Sequence, residues 1–271
     1  MQMVQVKDWG FCYPGCEAPA LSHVNFTIEE GAFVLLCGAS GSGKSTLLSH
    51  LKREMAPHGT QMGVIEWQGS PLSAMSEKDS AQRIGYVAQT PETQIVTDTV
   101  WHELAFGLEN LGMPAQVMRR RVAEIAHFFG IESWFRQKTD TLSGGQKQLV
   151  NLASVLVMQP SLLILDEPTA QLDPVAARQF LQAVQRVHKE LALRYSYASM
   201  RWRRCLGWLP RCCFCKTAPW LLMARPRLFC KGWQRHLRRI FDPRCRLPAV
   251  WRFPSARQSL SPLRCSRDAA Y

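Results

Sequence analysis

The sequence predicts an α/β fold built around a phosphate-binding loop, and three stretches carry that expectation. Phe33-Val34-Leu35-Leu36-Cys37 is an apolar run of strand length that ends in glycine, the pattern of a buried strand. Directly after it, Gly38-Ala39-Ser40-Gly41-Ser42-Gly43-Lys44-Ser45-Thr46 fits GxxxxGK[ST]. Further on, Leu162-Leu163-Ile164-Leu165 is a second apolar run, and it ends in Asp166-Glu167-Pro168. Parallel α/β sheets bind ligands at the carboxyl ends of their strands, so the loop and the two acids can share one site.

Each element has a chemical reading. In the loop, glycines let successive backbone N–H groups turn inward around phosphate oxygens, and Leu47, Leu48 and Leu51 continue as the apolar face of a helix. Lys44 then reaches the β and γ phosphates, and Ser45 ligates Mg²⁺. The four fixed positions arise by accident in on the order of one chain per hundred, and the strand-loop-helix context lowers that further. At the second strand, four aliphatics need a core while two carboxylates need water, metal or a reacting group. Asp166 suits Mg²⁺, held directly or through water, and Glu167 is placed to polarise an attacking water. Leu142-Ser143-Gly144-Gly145-Gln146 precedes a helical stretch, Lys147 to Met158, and presents a Ser hydroxyl and Gly N–H groups at a helix start. Val117, Val122, Ile125, Ala126 and Phe129 outline another helix, on which Arg119-Arg120-Arg121 reads as a solvated face. His23, His50, His58, His102, His127 and His188 form no metal-ligand spacing and read as structural or exposed.

Composition narrows the class. At 46% hydrophobic and 20% charged residues the chain is neither collagen-like, disordered nor a disulfide knot. No apolar run reaches about 18 residues, and Met1 to Asp8 has no signal-like segment, so the start reads as cytosolic. The net charge of +12 points to a nucleic-acid or anionic-membrane partner until its position is considered. Residues 1–191 carry 15 Lys+Arg and 19 Asp+Glu, a balance of −4, whereas residues 192–271 carry 18 and 2, a balance of +16. The tail also holds seven of the ten Cys, five of the nine Trp and no Glu, so two compositions are joined.

The phosphate loop, LSGGQ, LLILDEPT and the following Leu172-Asp173-Pro174, in that order, resemble the ATP-binding subunits of ABC transporters over about residues 1–191. The resemblance implies a P-loop NTPase of ABC ATPase type, with an N-terminal antiparallel β portion and a helical insertion at about 95–150. It implies ATP and Mg²⁺ as cofactors, with Gly38, Ala39, Ser40, Gly41, Ser42, Gly43, Lys44, Ser45 and Thr46 around the phosphates. Ser143, Gly144, Gly145 and Gln146 would complete the ATP site of a second such domain. Tyr13 stands where the family places an aromatic that stacks on adenine; Phe11 is its competitor, and a core aromatic is the plain alternative. Gln89, in Tyr86-Val87-Ala88-Gln89, takes the place of a glutamine that touches Mg²⁺ or the water and senses a transmembrane subunit; otherwise it is a surface amide. Asp173 belongs to the segment that crosses the dimer interface, or caps a helix before Pro174. Glu167, Lys44 and Gln89 are thus the expected catalytic residues, and Ser45, Gln89 and Asp166 the metal ligands. Pro91 to Val96 and Leu104 to Asn110 look like the energy-coupling-factor branch, importers of vitamins and metal ions. A peripheral place on the cytoplasmic side of the membrane follows. Leu149 departs from the family, which usually has Arg there.

The resemblance stops near residue 191. The family leads next into a buried strand and a γ-phosphate-contacting His near position 199, where this chain reads Tyr197-Ala198-Ser199-Met200. Joining the last base of each codon to the first two of the next allows Glu-His across 198–200, preceded by an aliphatic run across 194–197. The same shift across Arg211 to Thr217 yields a strand-and-turn like VLLLQDG. Residues 192–271 therefore read as an out-of-frame, irregular tail without an evolved site. Cys205, Cys212, Cys213 and Cys215 lack the paired CxxC spacing of a zinc centre. Two rival readings stand beside the transporter subunit: an ABC ATPase acting on nucleic acid through the basic tail, and an inactive truncated product.

Overall fold

Alternating burial on either side of a register shift between Val6 and Trp9 sets up the N-terminal sheet. In β1 (Gln2–Cys12), Val4, Val6, Trp9 and Phe11 are buried. β2 (Leu21–Glu29) and β4 (Thr60–Trp67) pair antiparallel on its two sides, and β5 (Ser70–Pro71) completes the order β2-β1-β4-β5. This is the expected antiparallel β portion. The computed structural model describes residues 2–36 and 41–190 and two short strands at 213–214 and 221–224. These belong to the unit Met1–Leu228; the unit Phe229–Tyr271 lies outside the described residues.

The nucleotide-binding half is built from short, fully apolar strands. β3 (Phe33–Leu36) leads toward the phosphate loop and α1 (Lys44–His50), and α2 (Glu77–Arg83) leads into β6 (Ile84–Val87). β6 pairs parallel with β7 (Leu162–Leu165), Tyr86 opposite Ile164 and Val87 opposite Leu165. Every residue of both strands is buried, as continuous apolar runs in parallel sheets require. Within the tail expected to be irregular, β8 (Cys213–Phe214) and β9 (Leu221–Ala224) form an antiparallel pair, and β9 runs antiparallel to β3. The shifted-frame positions near 194–200, and all the tail cysteines except Cys213, lie outside the described residues.

Between β6 and β7 stand α3 (Val100–Asn110), α4 (Ala115–Phe129) and α5 (Gly144–Val157), which fill the stretch expected to be a helical insertion and extend past its end. α5 begins at Gly144, three residues earlier than its apolar pattern suggests, because Ser143 caps it. On α4, Val122 and Ala126 are buried while Arg119 and Arg120 are exposed, as the pattern predicts; Arg121 is half-buried. α6 (Pro174–Glu190) lays Ala177, Phe180, Val184 and Val187, spaced three or four apart, into a cluster with β7 and α5. A second cluster joins α3, α4 and α5, and a third locks the N-terminal sheet onto α1. Among the described residues no helix is long and apolar enough to cross a membrane.

Candidate functional site

Close packing at Gly43 seats the phosphate loop against the N-terminal sheet. Gly38, Ala39 and Ser40 lie outside the described residues, but Gly41 to Thr46 are in view. Gly43 has φ +82°, and a Cβ there would stand 2.7 Å from the Ala20 carbonyl oxygen and 2.8 Å from Leu21 Cδ2. Leu47, Leu48 and Leu51 are buried beneath, which fixes α1. Lys44 is only 2% exposed and its Nζ donates to Ser42 Oγ at 2.9 Å. An ammonium held in such a setting favours an anionic ligand beside it.

The end of the phosphate loop and the acidic end of β7 meet. Ser45 Oγ donates to Asp166 Oδ1 at 3.1 Å, although the residues are 121 positions apart. Asp166 sits just past β7, where its backbone N–H still donates to the Val87 carbonyl and extends the ladder. Its second oxygen, Oδ2, accepts from the Tyr86 hydroxyl at 3.0 Å. Burial first, and then the neighbouring Asp166 carboxylate, push the Tyr86 pKa far above its ordinary value, so the phenol stays a proton donor. Tyr86 escapes a reading of the sequence because a tyrosine inside an apolar strand reads as core; only the β6–β7 pairing puts it beside the acid. An all-oxygen pair of one hydroxyl and one carboxylate fits Mg²⁺, which keeps several waters and takes few protein ligands beside substrate phosphates. The described residues hold no cluster of three or more His, Cys, Asp or Glu that could bind a metal by themselves. Glu167 follows with φ +43°, the left-handed region that a non-glycine residue enters at a cost.

Gln89 is exposed at the exit of β6, and the segment after it is held by an amide network that motif spacing does not announce. Gln94 Oε1 accepts from the Ala88 N–H at 2.6 Å and from Asn151 Nδ2 at 2.8 Å, while its Nε2 donates to the Tyr86 carbonyl at 3.0 Å. Gln148 Nε2 donates to the Ala88 carbonyl at 3.2 Å. Helix α5 is thereby fastened to the Gln89 segment. Gln171 Nε2 reaches Thr90 Oγ1 at 3.0 Å, which joins the segment before Asp173 to the same place. Glu103, buried in α3, accepts from the Val96 and Thr97 N–H groups and the Thr97 hydroxyl.

The LSGGQ motif forms a capping box. Ser143 Oγ accepts from the Gln146 N–H, and Gln146 Oε1 accepts from the Ser143 N–H at 2.8 Å. Gly145 packs against α6, where a Cβ would stand 2.8 Å from Ala176 Cβ, whereas a Cβ on Gly144 would meet nothing within 4 Å. Asp173 Oδ1 accepts from the Val175 and Ala176 N–H groups, so it does cap α6. Of the two candidate aromatics, Phe11 is 1% exposed and therefore closed to a ligand, while Tyr13 is 39% exposed with its hydroxyl 2.9 Å from Thr46 Oγ1.

Comparison with known proteins identifies the family. A sequence model described as ABC transporter matches residues 21–170. A putative ABC transporter ATP-binding protein of Bacillus anthracis is 49% identical over 189 residues, covering 70% of this chain and 34% of that protein. The cobalt import ATP-binding protein CbiO of Syntrophus aciditrophicus is 40% identical over 190 residues, 69% of this chain and 66% of the relative. Among solved structures, cbiO1 of Clostridium perfringens, part of the ABC transporter complex cbiONQ, superposes with a TM-score of 0.66 at 31% identity, covering 74% of this chain and 79% of that one. The chain spans about a third of the length of the Bacillus relative and others like it. The fold, the convergence of Ser45 with Asp166 and these similarities together make the chain a member of the ABC transporter ATP-binding family.

Proposed function

We propose that the chain is the ATP-binding and ATP-hydrolysing subunit of an ABC importer of the energy-coupling-factor type, for a vitamin or a metal ion, with turnover impaired in this chain by loss of the γ-phosphate-contacting His. The 3.1 Å contact between Ser45 Oγ and Asp166 Oδ1 carries the catalytic part of this reading, because it puts the phosphate loop and the acidic strand end at one point. The two CbiO-type relatives and the stretches 91–96 and 104–110 support the importer part. The loop from Gly38 to Thr46 holds the phosphates, Lys44 neutralises the β and γ groups, and Tyr13 stacks on the base. Ser45, Asp166 and Gln89 would hold Mg²⁺, which when bound offsets the phosphate charge. Glu167 orients a water and takes up its proton as oxygen bonds to the γ-phosphorus and the bond to the bridging oxygen breaks. Ser143, Gly144, Gly145 and Gln146, with Asp173, face the nucleotide of a second ATPase domain. A membrane subunit engages the surface around Gln89, which places the chain on the cytoplasmic side of the membrane, and no specific nucleic-acid partner is invoked.

Residues from 192 onward are, in the same reading, translated out of frame. The composition supports this: the charge balance is −4 over residues 1–191 and +16 over residues 192–271, and the tail has no Glu. The shifted frame allows an aliphatic run across 194–197 followed by Glu-His, the strand and histidine that the family places there. The expected result is Mg²⁺-dependent ATP binding by the chain as it stands, lost in Lys44→Ala, with little phosphate release. Restoring the frame restores turnover, and Glu167→Gln removes it again. Robust hydrolysis by the unrestored chain, or stop codons early in the shifted frame, would overturn the frame reading. ATP binding unaffected by Lys44→Ala would overturn the site itself.

A further inference from the structure

The exposed Tyr13 is the end of a column of aromatic rings that runs into the core. Phe11 meets Tyr13 edge-on, centroids 4.8 Å apart at 83°; His50 meets Phe11 at 4.4 Å and 61°; Trp9 meets His50 at 5.3 Å and 65°. Trp9, Phe11 and His50 are 6%, 1% and 4% exposed, so three of the four rings are fixed by burial. His50 closes the last turn of α1, the helix that begins at the phosphate loop.

His50 is also bonded back toward that loop. Its Nδ1 lies 2.7 Å from the Thr46 carbonyl oxygen, which can only accept, so Nδ1 carries the proton. Burial lowers the His50 pKa and favours this neutral form. Thr46 is therefore held twice, at its carbonyl by His50 and at its hydroxyl by Tyr13. The contacts close a circuit: Tyr13 to Thr46 by a hydrogen bond, Thr46 to His50 by another, His50 to Phe11 and Phe11 to Tyr13 by ring edges. A side chain that is 39% exposed would otherwise sample several rotamers and lose that freedom on binding.

We propose that His50 is a positioning residue for the nucleobase: through Thr46 and Phe11 it presets the Tyr13 ring as a platform for the base, without touching the nucleotide. This rests on the reading of Tyr13 as the stacking residue. It predicts that His50 contributes to the part of the affinity that depends on the base, and not to the part that depends on the phosphates. A purely structural histidine would affect both alike, or neither.

The test is calorimetric titration of the full chain with ATP and with inorganic tripolyphosphate, both with Mg²⁺, alongside thermal unfolding. His50→Phe keeps a ring against Phe11 but cuts the bond to Thr46, whereas His50→Asn keeps a donor there but removes the ring. Each is expected to weaken ATP about three- to ten-fold, the size of one pre-ordered aromatic side chain, and to leave tripolyphosphate unchanged. In a Tyr13→Ala background the same changes should add nothing. Equal losses for both ligands, no loss for either, or full additivity with Tyr13→Ala would overturn the role of His50. If Tyr13→Ala itself fails to discriminate ATP from tripolyphosphate, the stacking reading falls, and this proposal with it. Should His50→Phe not fold, His50→Asn and the surface change Tyr13→Phe, which cuts the hydroxyl leg, carry the same comparison.

Discussion

Replacing Tyr86 by Phe removes one oxygen and keeps the ring. The lost bond is the 3.0 Å contact from the phenol to Asp166 Oδ2, in a strand whose four residues are all buried. A hydrogen bond to a charged group contributes about 1.5–3 kcal/mol, and no water readily replaces the hydroxyl in so closed a place. For a folded region of this size each kcal/mol lowers the melting temperature by about 2–4 °C, so a loss near 2 kcal/mol gives a fall of about 4–8 °C. Groups that orient a metal ligand typically change metal affinity by about 10- to 100-fold, and that is the expected loss in Mg²⁺-dependent ATP binding. The pH dependence has a definite sign. The Tyr86 pKa is raised above its ordinary 10.0, so the stabilisation is fully present below about pH 10 and is lost as pH rises beyond it. The deficit of Tyr86→Phe should therefore be constant from about pH 6 to 9 and shrink in stronger alkali. Thermal unfolding with and without Mg²⁺ and ATP measures all three quantities. A Tyr86→Phe variant with unchanged melting temperature and unchanged Mg²⁺ dependence would refute the claim that this hydroxyl holds the acid.

The adjacent glycines of LSGGQ should respond oppositely. Gly145→Ala puts a methyl 2.8 Å from Ala176 Cβ and should destabilise the chain by about 1–3 kcal/mol, whereas Gly144→Ala meets open space and should leave the melting temperature level or slightly higher. On the proposed dimer, Gly144→Ala nevertheless weakens ATP-dependent association, which size-exclusion chromatography with Mg²⁺ and ATP would register. Gln94→Leu leaves the Ala88 N–H and Asn151 Nδ2 without their acceptor and should cost at least about 2 kcal/mol in urea unfolding.

Features coded within a few adjacent residues were legible without coordinates. The loop at 38–46, the acids after Leu165 and the Ser143 cap each need only a short run of chain, whereas the antiparallel portion came with the family resemblance and not from a pattern in its own residues. What stayed hidden depends on register between distant segments. Tyr86 reaches Asp166 only because β6 and β7 run parallel with Tyr86 opposite Ile164. Gln94 looks like any loop amide until Asn151 of α5 arrives beside it. His50, one of six histidines without ligand spacing, becomes distinctive only when Phe11 and Trp9 are packed around it. Asp173 shows the converse: its local pattern correctly suggested a helix cap, which does not exclude a further role at a dimer interface.

The third glycine of the phosphate loop illustrates how a motif acquires its spelling. Position 43 combines a backbone angle that disfavours any side chain with a wall, made of Ala20 and Leu21, that leaves no room for one. Alanine would be rejected twice over in the empty protein, before any nucleotide arrives. A saturation library at this codon, scored only for folded yield, should return glycine; the letter records the architecture as much as the chemistry.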